Sequence, residues 1–171
     1  MTIKNFKKIN ERGVSIKVEL EDNGSLKIND KSYYEVINST TQGIQWQHNG
    51  KTVKVIQKDV IIRGLPDLSL SKVIIIKLGS TLDRGNQLYV YNSAGKLTKT
   101  IGVPELISDL ALKDKKENEL SKHFSDIRWL TNSNGEKVFA TKINFGWYLF
   151  EMREFNTETF EFGECLYASR D

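Results

Sequence analysis

The sequence predicts a mainly β fold, an antiparallel meander of hairpins that forms a sandwich or an open barrel, with one short helix near residues 104–112. Two observations predict the strands. A turn signature returns between apolar, β-rich runs, and several of these runs alternate apolar with polar residues. The helix is predicted where this rhythm is interrupted and apolar residues recur at helical spacing.

The turn signature marks four hairpins. Asparagine followed by glycine, and close relatives of this pair, tolerate the positive φ angles that tight hairpin turns require. We therefore predict hairpin tips at Asp22-Asn23-Gly24-Ser25, His48-Asn49-Gly50-Lys51, Ser93-Ala94-Gly95-Lys96 and Ser133-Asn134-Gly135-Glu136.

The strands follow in chain order. Apolar and polar residues alternate from Val14 to Leu20, and residues 25–28 can pair back with this run across the first turn. Aliphatic residues at 60–62 and 73–78 predict strands buried on both faces. The other predicted strands cover residues 33–37, 44–47, 52–56, 87–91, 96–101, 126–130, 137–143, 146–154 and 159–168. A small propeller is the alternative architecture, although the segments around the turns are not self-similar.

The helix prediction depends on Pro104 and the residues after it. Proline suits the first turn of a helix, and Glu105 follows it. Leu106, Ile107 and Leu110 then form one apolar stripe at helical spacing. We interpret the lysine and glutamate run beyond this stripe as a solvated helix end or a loop.

The register of the last hairpin can be predicted from polarity. A three-residue turn at 156–158 pairs Arg153 with Glu161 and Met152 with Phe162, whereas a two-residue turn mixes charge into the apolar face. The preferred register gives a core face of Tyr148, Phe150, Met152, Phe160, Phe162 and Leu166. It gives a mixed face of Trp147, Leu149, Glu151, Arg153, Glu161, Cys165 and Tyr167.

Length and composition indicate a single β-rich domain over residues 1–171. Hydrophobic residues make up 39% and charged residues 27% of the chain, which is typical of an ordered, water-soluble domain. The longest aliphatic run, Val73-Ile74-Ile75-Ile76, is far shorter than the roughly 20 residues that span a bilayer. The single cysteine, Cys165, cannot form an internal disulfide. We therefore expect a cytoplasmic location.

Charge is unevenly distributed along the chain. Residues 1–100 contain 16 Lys and Arg against 9 Asp and Glu, whereas residues 101–171 contain 9 against 13. Such asymmetry is informative about partners rather than about fold. The basic residues are scattered singly and form no stripe, so we expect neither nucleic acid nor a membrane as the partner.

Motifs that carry catalytic chemistry are missing from the sequence. It contains no glycine-rich phosphate loop and no Gly-x-Ser-x-Gly nucleophile elbow. His48 and His123 have no cysteine or histidine at the spacing of metal ligands. Cys165 lies in a predicted strand with no basic neighbour in the sequence to lower its pKa, so we interpret it as a structural residue. We expect no enzyme, no cofactor and no metal.

Aromatic and acidic residues supply the binding-site candidates. Most aromatic residues alternate as core residues do, and Trp46 and Trp147 are the predicted exceptions. Five glutamates lie between positions 151 and 164, opposed only by Arg153. Glutamates beside aromatic residues on a rigid sheet can receive a basic protein. We therefore predict a partner-binding site of Trp147, Glu151, Glu158, Glu161 and Tyr167.

The last quarter or so of the chain resembles a known class of proteins. The resemblance depends on Ile127-Arg128-Trp129-Leu130 followed by Asn134-Gly135, on Gly146-Trp147-Tyr148-Leu149-Phe150-Glu151, and on Phe155-Asn156-Thr157-Glu158-Thr159. These segments resemble the small cytoplasmic immunity proteins of bacterial contact-dependent inhibition and related polymorphic toxin systems. The resemblance implies a protein without a catalytic site that binds one toxin domain, frequently a nuclease, and covers its active site.

Two other functions stay open at this point. A small-ligand or glycan-binding β module requires Trp46 or Trp147 to line a concavity. A hydrolase requires its dispersed carboxylates to converge. A deep polar pocket with convergent acids favours the hydrolase, an aromatic-floored groove favours the ligand-binding module, and a flat charged face favours the inhibitor.

Overall fold

The predicted hairpins assemble into two large antiparallel sheets, and the chain is mainly β. The computed structural model describes residues 2–10, 12–13, 15–17, 19–20, 26–27, 42–79 and 84–171. Over these residues the sheets form no closed barrel. The strands lie in sheets that pack on one another, so the propeller alternative is wrong.

The first sheet contains eight strands. They are β1 (Lys4–Asn10), β2 (Ser15–Lys17), β5 (Gln42–His48), β6 (Lys51–Val55), β7 (Ile61–Pro66), β8 (Lys72–Leu78), β9 (Arg84–Asn92) and β10 (Leu97–Gly102). The strand order is β10-β9-β8-β7-β5-β1-β2, with β6 paired to β5. Strand β5 is joined to β7 by a parallel bridge from Gln42 to Ile61, and the other described pairings of this sheet are antiparallel. A separate two-stranded ladder pairs β3 (Glu19–Leu20) with β4 (Leu26–Lys27), as the sequence predicts.

The second sheet contains four antiparallel strands in chain order and packs on the first sheet through β11. Trp129 Nε1 on β11 donates a hydrogen bond to Pro66 O at 3.1 Å. Gly85 on β9 lies so close to β11 that a Cβ atom added to it would be 2.1 Å from Phe124 O. Its strands are β11 (His123–Thr131), β12 (Lys137–Phe145), β13 (Leu149–Phe155) and β14 (Phe162–Arg170).

Three of the four predicted hairpin tips are confirmed. Asn49 and Gly50 take φ angles of 50° and 75° between β5 and β6, as a primed two-residue turn requires. Gly95 and Gly135 also have positive φ, in the turns that join β9 to β10 and β11 to β12. The predicted tip at Asn23-Gly24 and the predicted strand at 33–37 lie outside the described residues.

One continuous hydrophobic core contains side chains from both sheets. Val73, Ile74, Ile75 and Ile76 on β8 all have 0% exposure, which confirms a strand buried on both faces. Trp46 is also fully buried, and its Nε1 donates to Ser93 O at 2.7 Å. The prediction that Trp46 is exposed is therefore wrong, because the neighbouring β9–β10 turn supplies the hydrogen-bond acceptor that a buried indole needs.

The helix prediction is only partly right, because two short helices are present and neither begins at Pro104. Helix α1 (Asp109–Leu112) starts after Ser108, whose Oγ accepts a hydrogen bond from Ala111 N at 3.3 Å. Helix α2 (Lys115–Ser121) occupies the charged run. Neither helix is long and apolar enough to cross a bilayer. Residues 103–108, called the strap below, are not helical, and the backbone N–H groups of Leu106, Ile107 and Ser108 donate to glutamate side chains.

The predicted register of the last hairpin is also wrong. Arg153 lies opposite Cys165 and Met152 opposite Tyr167, because the connecting loop is longer than three residues and the ladder shifts twice. Asn156 organises this loop, since its Oδ1 accepts from Glu158 N and Thr159 N. Of the predicted core face, Phe150 and Met152 are buried, Phe160, Phe162 and Leu166 are half-buried, and Tyr148 is exposed.

Candidate functional site

The five predicted site residues lie in four different places. Trp147 lies in the turn between β12 and β13 and is 81% exposed, whereas Glu151 on β13 is fully buried. Glu158 and Glu161 lie in the loop at the opposite end of β13. Tyr167 lies on the edge strand β14, where it is partly exposed and packs edge-on against Phe150. The structure therefore does not join these residues into one face.

Glu151 has a structural role. Its Oε1 lies 3.1 Å from Arg153 Nη1, and its Oε2 accepts from Ser108 N at 3.0 Å and from Ile107 N at 3.2 Å. Arg153 also donates to Glu105 O and to Gly163 O. The strap covers this side of β13, so a face predicted to be open to solvent is buried. Glu151 is therefore unable to contact a partner directly.

Glu158 is engaged with the first sheet. Its Oε1 lies 2.7 Å from Lys72 Nζ on β8. In the same loop, Lys99 Nζ of β10 lies 4.4 Å from the centroid of the Phe160 ring. These two contacts fix the β13–β14 loop against the first sheet, so Glu158 supports the loop's position.

Glu161 belongs to an acidic groove between two hairpin tips. The groove has a volume of about 410 Å³ and is bounded by the β11–β12 turn and the β13–β14 loop. Of the described residues that line it, four are glutamates and none is a lysine or an arginine. None of the ion pairs among the described residues involves any of these four glutamates. The four are Glu136, Glu154, Glu161 and Glu164, and Glu136 accepts a hydrogen bond from Asn132.

A second surface lies at the other end of β13. Leu120 is 85% exposed, Trp147 81% and Tyr148 68%, and we call these three residues the apolar corner. Gly146 N donates to Ser121 Oγ at 2.8 Å, so the residues next to Leu120 and Trp147 are bonded to each other. The corner is therefore formed where helix α2 meets the β12–β13 turn.

The apolar corner is held by specific backbone and side-chain contacts. Gly146 has a φ of +51°, and a Cβ atom added to it would lie 2.7 Å from Asn118 Oδ1. Asn118 is itself buried, and its Nδ2 donates to Ala111 O at 2.8 Å. Tyr148 O accepts from the backbone N–H of Asp171. The exposed side chains of the corner therefore project from a backbone that is held by hydrogen bonds and close packing.

A polar groove of about 500 Å³ adjoins the corner. Arg84, Lys122 and His123 are its basic lining residues, and Leu120 and Ser121 also line it. Lys122 Nζ is already bound to Glu119 and to Pro104 O. Arg84 is exposed, and its side chain has no hydrogen bond or ion pair with any other described residue. The groove therefore presents, beside Leu120 of the corner, one guanidinium that has no partner among the described residues.

The remaining polar clusters carry structural roles. Asp67 is fully buried and accepts hydrogen bonds from Ser69, Ser71 and Lys72 in the β7–β8 turn. Burial raises the pKa of the Cys165 thiol, and the charge of Glu151 raises it further, which fits the predicted structural role. Burial lowers the pKa of Lys8, although Asp126 opposes this change. The described residues contain no group of acidic, histidine or cysteine side chains arranged to hold a metal ion.

Among the residues of the corner and its groove, Trp147 is predicted from the sequence, whereas Leu120, Tyr148 and Arg84 are not. One signal for Leu120 is present, since it is the only apolar residue of the α2 sequence KKENELS. A lone leucine in such a helix has no apolar stripe to join and is therefore a candidate for exposure. Arg84 carries no comparable signal, because only the packing of β9 near α2 brings it to the corner.

Comparison of the chain with protein-family models, with curated proteins and with solved structures gave no match.

Proposed function

We propose that this protein is a non-enzymatic, protein-binding module that works in the cytoplasm as an immunity protein. It binds a cognate bacterial toxin domain, such as a nuclease, and occludes the active site of that domain. The observation that carries this proposal is the apolar corner formed by Leu120, Trp147 and Tyr148.

The corner has the composition of an interface centre. Tryptophan and tyrosine are enriched among the residues that dominate binding energy, because each buries a large area with few rotatable bonds. Three adjacent large side chains with at least 68% exposure are costly in water. Hydrogen bonds of Ser121, Asn118 and Asp171 hold the backbone beneath these side chains, which reduces the conformational entropy that is lost when a partner covers the corner.

The acidic groove adds electrostatic attraction. Four carboxylates, with no cation among the described lining residues, attract a basic partner and favour its approach in one orientation. Glu161 is the predicted site residue that belongs to this groove. In this proposal the groove increases the association rate, and the apolar corner supplies most of the binding energy.

In this proposal one partner contacts both surfaces. Strand β13 separates them, and its seven residues span about 24 Å at about 3.4 Å per residue. A standard interface buries about 800 Å² on each partner, which corresponds to a patch about 30 Å across. One toxin domain is therefore large enough to contact the corner and to present basic residues to the groove.

Site-specific crosslinking and a toxicity assay test the proposal together. The photoreactive residue p-benzoylphenylalanine is placed at Trp147 and, as a matched control, at Leu97, which is 43% exposed on β10. The partner tested is the product of the gene that neighbours this one in the native host. We expect a crosslink from position 147 only, and we expect growth of toxin-expressing cells to be rescued by the natural chain and not by Trp147→Ala. Rescue that is unchanged in Trp147→Ala contradicts the proposal.

A hydrolase is the second candidate function, because the acidic groove brings four carboxylates together. Glycoside hydrolysis needs only two carboxyl groups on opposite sides of the scissile bond. The test is turnover of chromogenic glycosides by the purified chain, with Glu154→Gln and Glu161→Gln as variants. Turnover that either variant abolishes favours this function. The glycan-binding alternative loses one of its two candidate residues, since Trp46 is buried in the core.

A further inference from the structure

We propose that the apolar corner and its adjoining groove receive an extended segment of the protein partner in which a large apolar side chain is flanked by aspartate or glutamate. The inference rests on the proposed protein-binding function and specifies the chemistry of the segment that docks. It assigns a role to Arg84, which neither the sequence motifs nor the acidic groove explains.

The apolar part of the segment is inferred from the corner itself. Leu120 and Trp147 are the sequence neighbours of Ser121 and Gly146, which are joined by a hydrogen bond, and both side chains are exposed. We infer that one apolar side chain contacts both. Trp147 and Tyr148 have ring centroids 6.5 Å apart and are tilted by 54°, which leaves the two rings unstacked. A side chain the size of leucine gains van der Waals contact with aliphatic and aromatic side chains when it docks at the corner.

The acidic part is inferred from the charges that line the groove. Arg84 is the basic lining residue without a partner among the described residues, since Lys122 is paired with Glu119. His123 also lines the groove, and its Nδ1 lies 3.1 Å from Ser121 O. One guanidinium without a partner among the described residues matches one carboxylate, and an arginine can bind both oxygens of a carboxylate at once.

The same charges argue against a nucleic acid in this groove. A nucleic-acid surface requires several cations that follow the phosphate backbone. Helix α2 beside the groove carries two lysines and two glutamates, so its contribution to the net charge is zero. The surface is thus suited to a short segment with one or two negative charges.

Peptide titration tests the inference without knowledge of the natural partner. Three nine-residue peptides of glycine and serine carry a central leucine flanked by two aspartates, two asparagines or two lysines. The readout is the indole N–H signal of Trp147 in the ¹⁵N-labelled protein. Trp46 and Trp129 are internal references, because both are buried and both donate their indole N–H to backbone carbonyls.

We expect the aspartate peptide to shift the Trp147 signal and to bind about threefold more tightly than the asparagine peptide, as one exposed ion pair predicts. We expect Arg84→Gln to reduce the affinity for the aspartate peptide to that for the asparagine peptide. Arg128→Gln is the matched control, since Arg128 is an exposed arginine on β11 that is paired with Asp126. It should leave all three affinities unchanged.

Other outcomes overturn the inference. Equal or tighter binding of the lysine peptide contradicts the acidic segment, and unchanged affinity in Arg84→Gln removes the assigned role of Arg84. Self-association that Trp147→Ala abolishes in sedimentation experiments assigns the corner to a second copy of the chain. The failures are distinguishable, because toxin rescue that needs Trp147 but not Arg84 supports the proposed function and refutes this inference.

Discussion

Glu151 and Arg153 lie on the same side of strand β13 and form a buried ion pair, with Glu151 Oε1 3.1 Å from Arg153 Nη1. The pair joins three parts of the chain, because Glu151 accepts from the strap and Arg153 donates to Glu105 O and Gly163 O. Each charge is thus compensated by its partner and by peptide groups, as a buried charge requires.

Loss of one member of this pair should be strongly destabilising. We expect Arg153→Met to reduce the free energy of unfolding by about 3–5 kcal/mol, because it leaves the Glu151 carboxylate buried without its counter-charge. Urea denaturation measures the change. The control is Arg128→Gln, which removes an exposed ion pair with Asp126 and should cost less than about 1 kcal/mol. Equal losses in the two variants would refute the structural role of the buried pair.

The same pair explains where sequence reasoning about the fold succeeds and fails. Local turn chemistry predicts the tips at Asn49-Gly50 and Asn134-Gly135, because the backbone requirement and the residues that meet it are adjacent in sequence. The burial of Glu151 depends on the strap, which lies 43 residues earlier in the chain. No periodicity in β13 contains this information, so the predicted solvent-exposed face is buried.

The candidate site also contains residues that local sequence predicts and residues that only tertiary packing brings together. Trp147 is predictable, because its sequence position puts it outside the core pattern of the neighbouring strand. Leu120 and Arg84 join it only through the packing of α2 on the β12–β13 turn and through the position of β9. A single sequence does not encode such proximity in any local pattern.

Trp147 should be the main fluorophore accessible to solvent. We expect acrylamide to quench its emission efficiently, because Trp147 is 81% exposed while Trp46 and Trp129 are 0% and 5% exposed. Trp147→Phe should remove the strongly quenched component. We also expect Trp147→Ala to change the free energy of unfolding by less than about 0.5 kcal/mol, and Trp129→Ala to cost about 3–5 kcal/mol. Strong quenching that persists in Trp147→Phe would contradict the assigned exposure.

The acidic groove should act on association kinetics. We expect the triple variant Glu154→Gln, Glu161→Gln and Glu164→Gln to bind the toxin domain more slowly and with a weaker dependence on salt, because steering is screened over about 8 Å at physiological ionic strength. Stopped-flow measurements at low and high salt test this expectation. The matched control removes three exposed acids elsewhere, at Glu105, Asp109 and Glu117. An unchanged association rate in the groove variant would assign its glutamates to solubility alone.

Cys165 should react slowly with alkylating reagents in the folded protein. Burial raises the pKa of its thiol above the usual value of 9.0, so little thiolate is present at pH 8. We expect iodoacetamide to modify the urea-unfolded chain faster than the folded chain at this pH. The folded thiol also keeps its proton to higher pH than the unfolded one, so stability should fall as the pH rises above about 9. Equal alkylation rates in the two states would contradict this expectation.

Glu119 should contribute stability that depends on pH. Partial burial alone raises the pKa of Glu119, but hydrogen bonds from Lys122 and from Leu106 N outweigh this effect and leave the pKa below the usual 4.5. A lowered carboxyl pKa stabilises the fold above about pH 4.5, and this stabilisation is lost as the pH falls through the folded-state pKa. We expect Glu119→Gln to cost about 1 kcal/mol at pH 7, and we expect this cost to decrease as the pH is lowered below 4.5. A cost that stays constant down to the pH of acid unfolding would contradict the role of the charge.

The strap also has a consequence for the order of folding events. Arg153 binds Glu105 O, 48 residues earlier in the chain, and Gly163 O, on the following strand. Because closing a long loop is costly, we expect its guanidinium to bind the strap after β13 and β14 have paired. Contacts that form after the rate-limiting step affect the unfolding rate and leave the folding rate nearly unchanged. We therefore expect the strap to set the lifetime of the native state rather than the rate at which it forms.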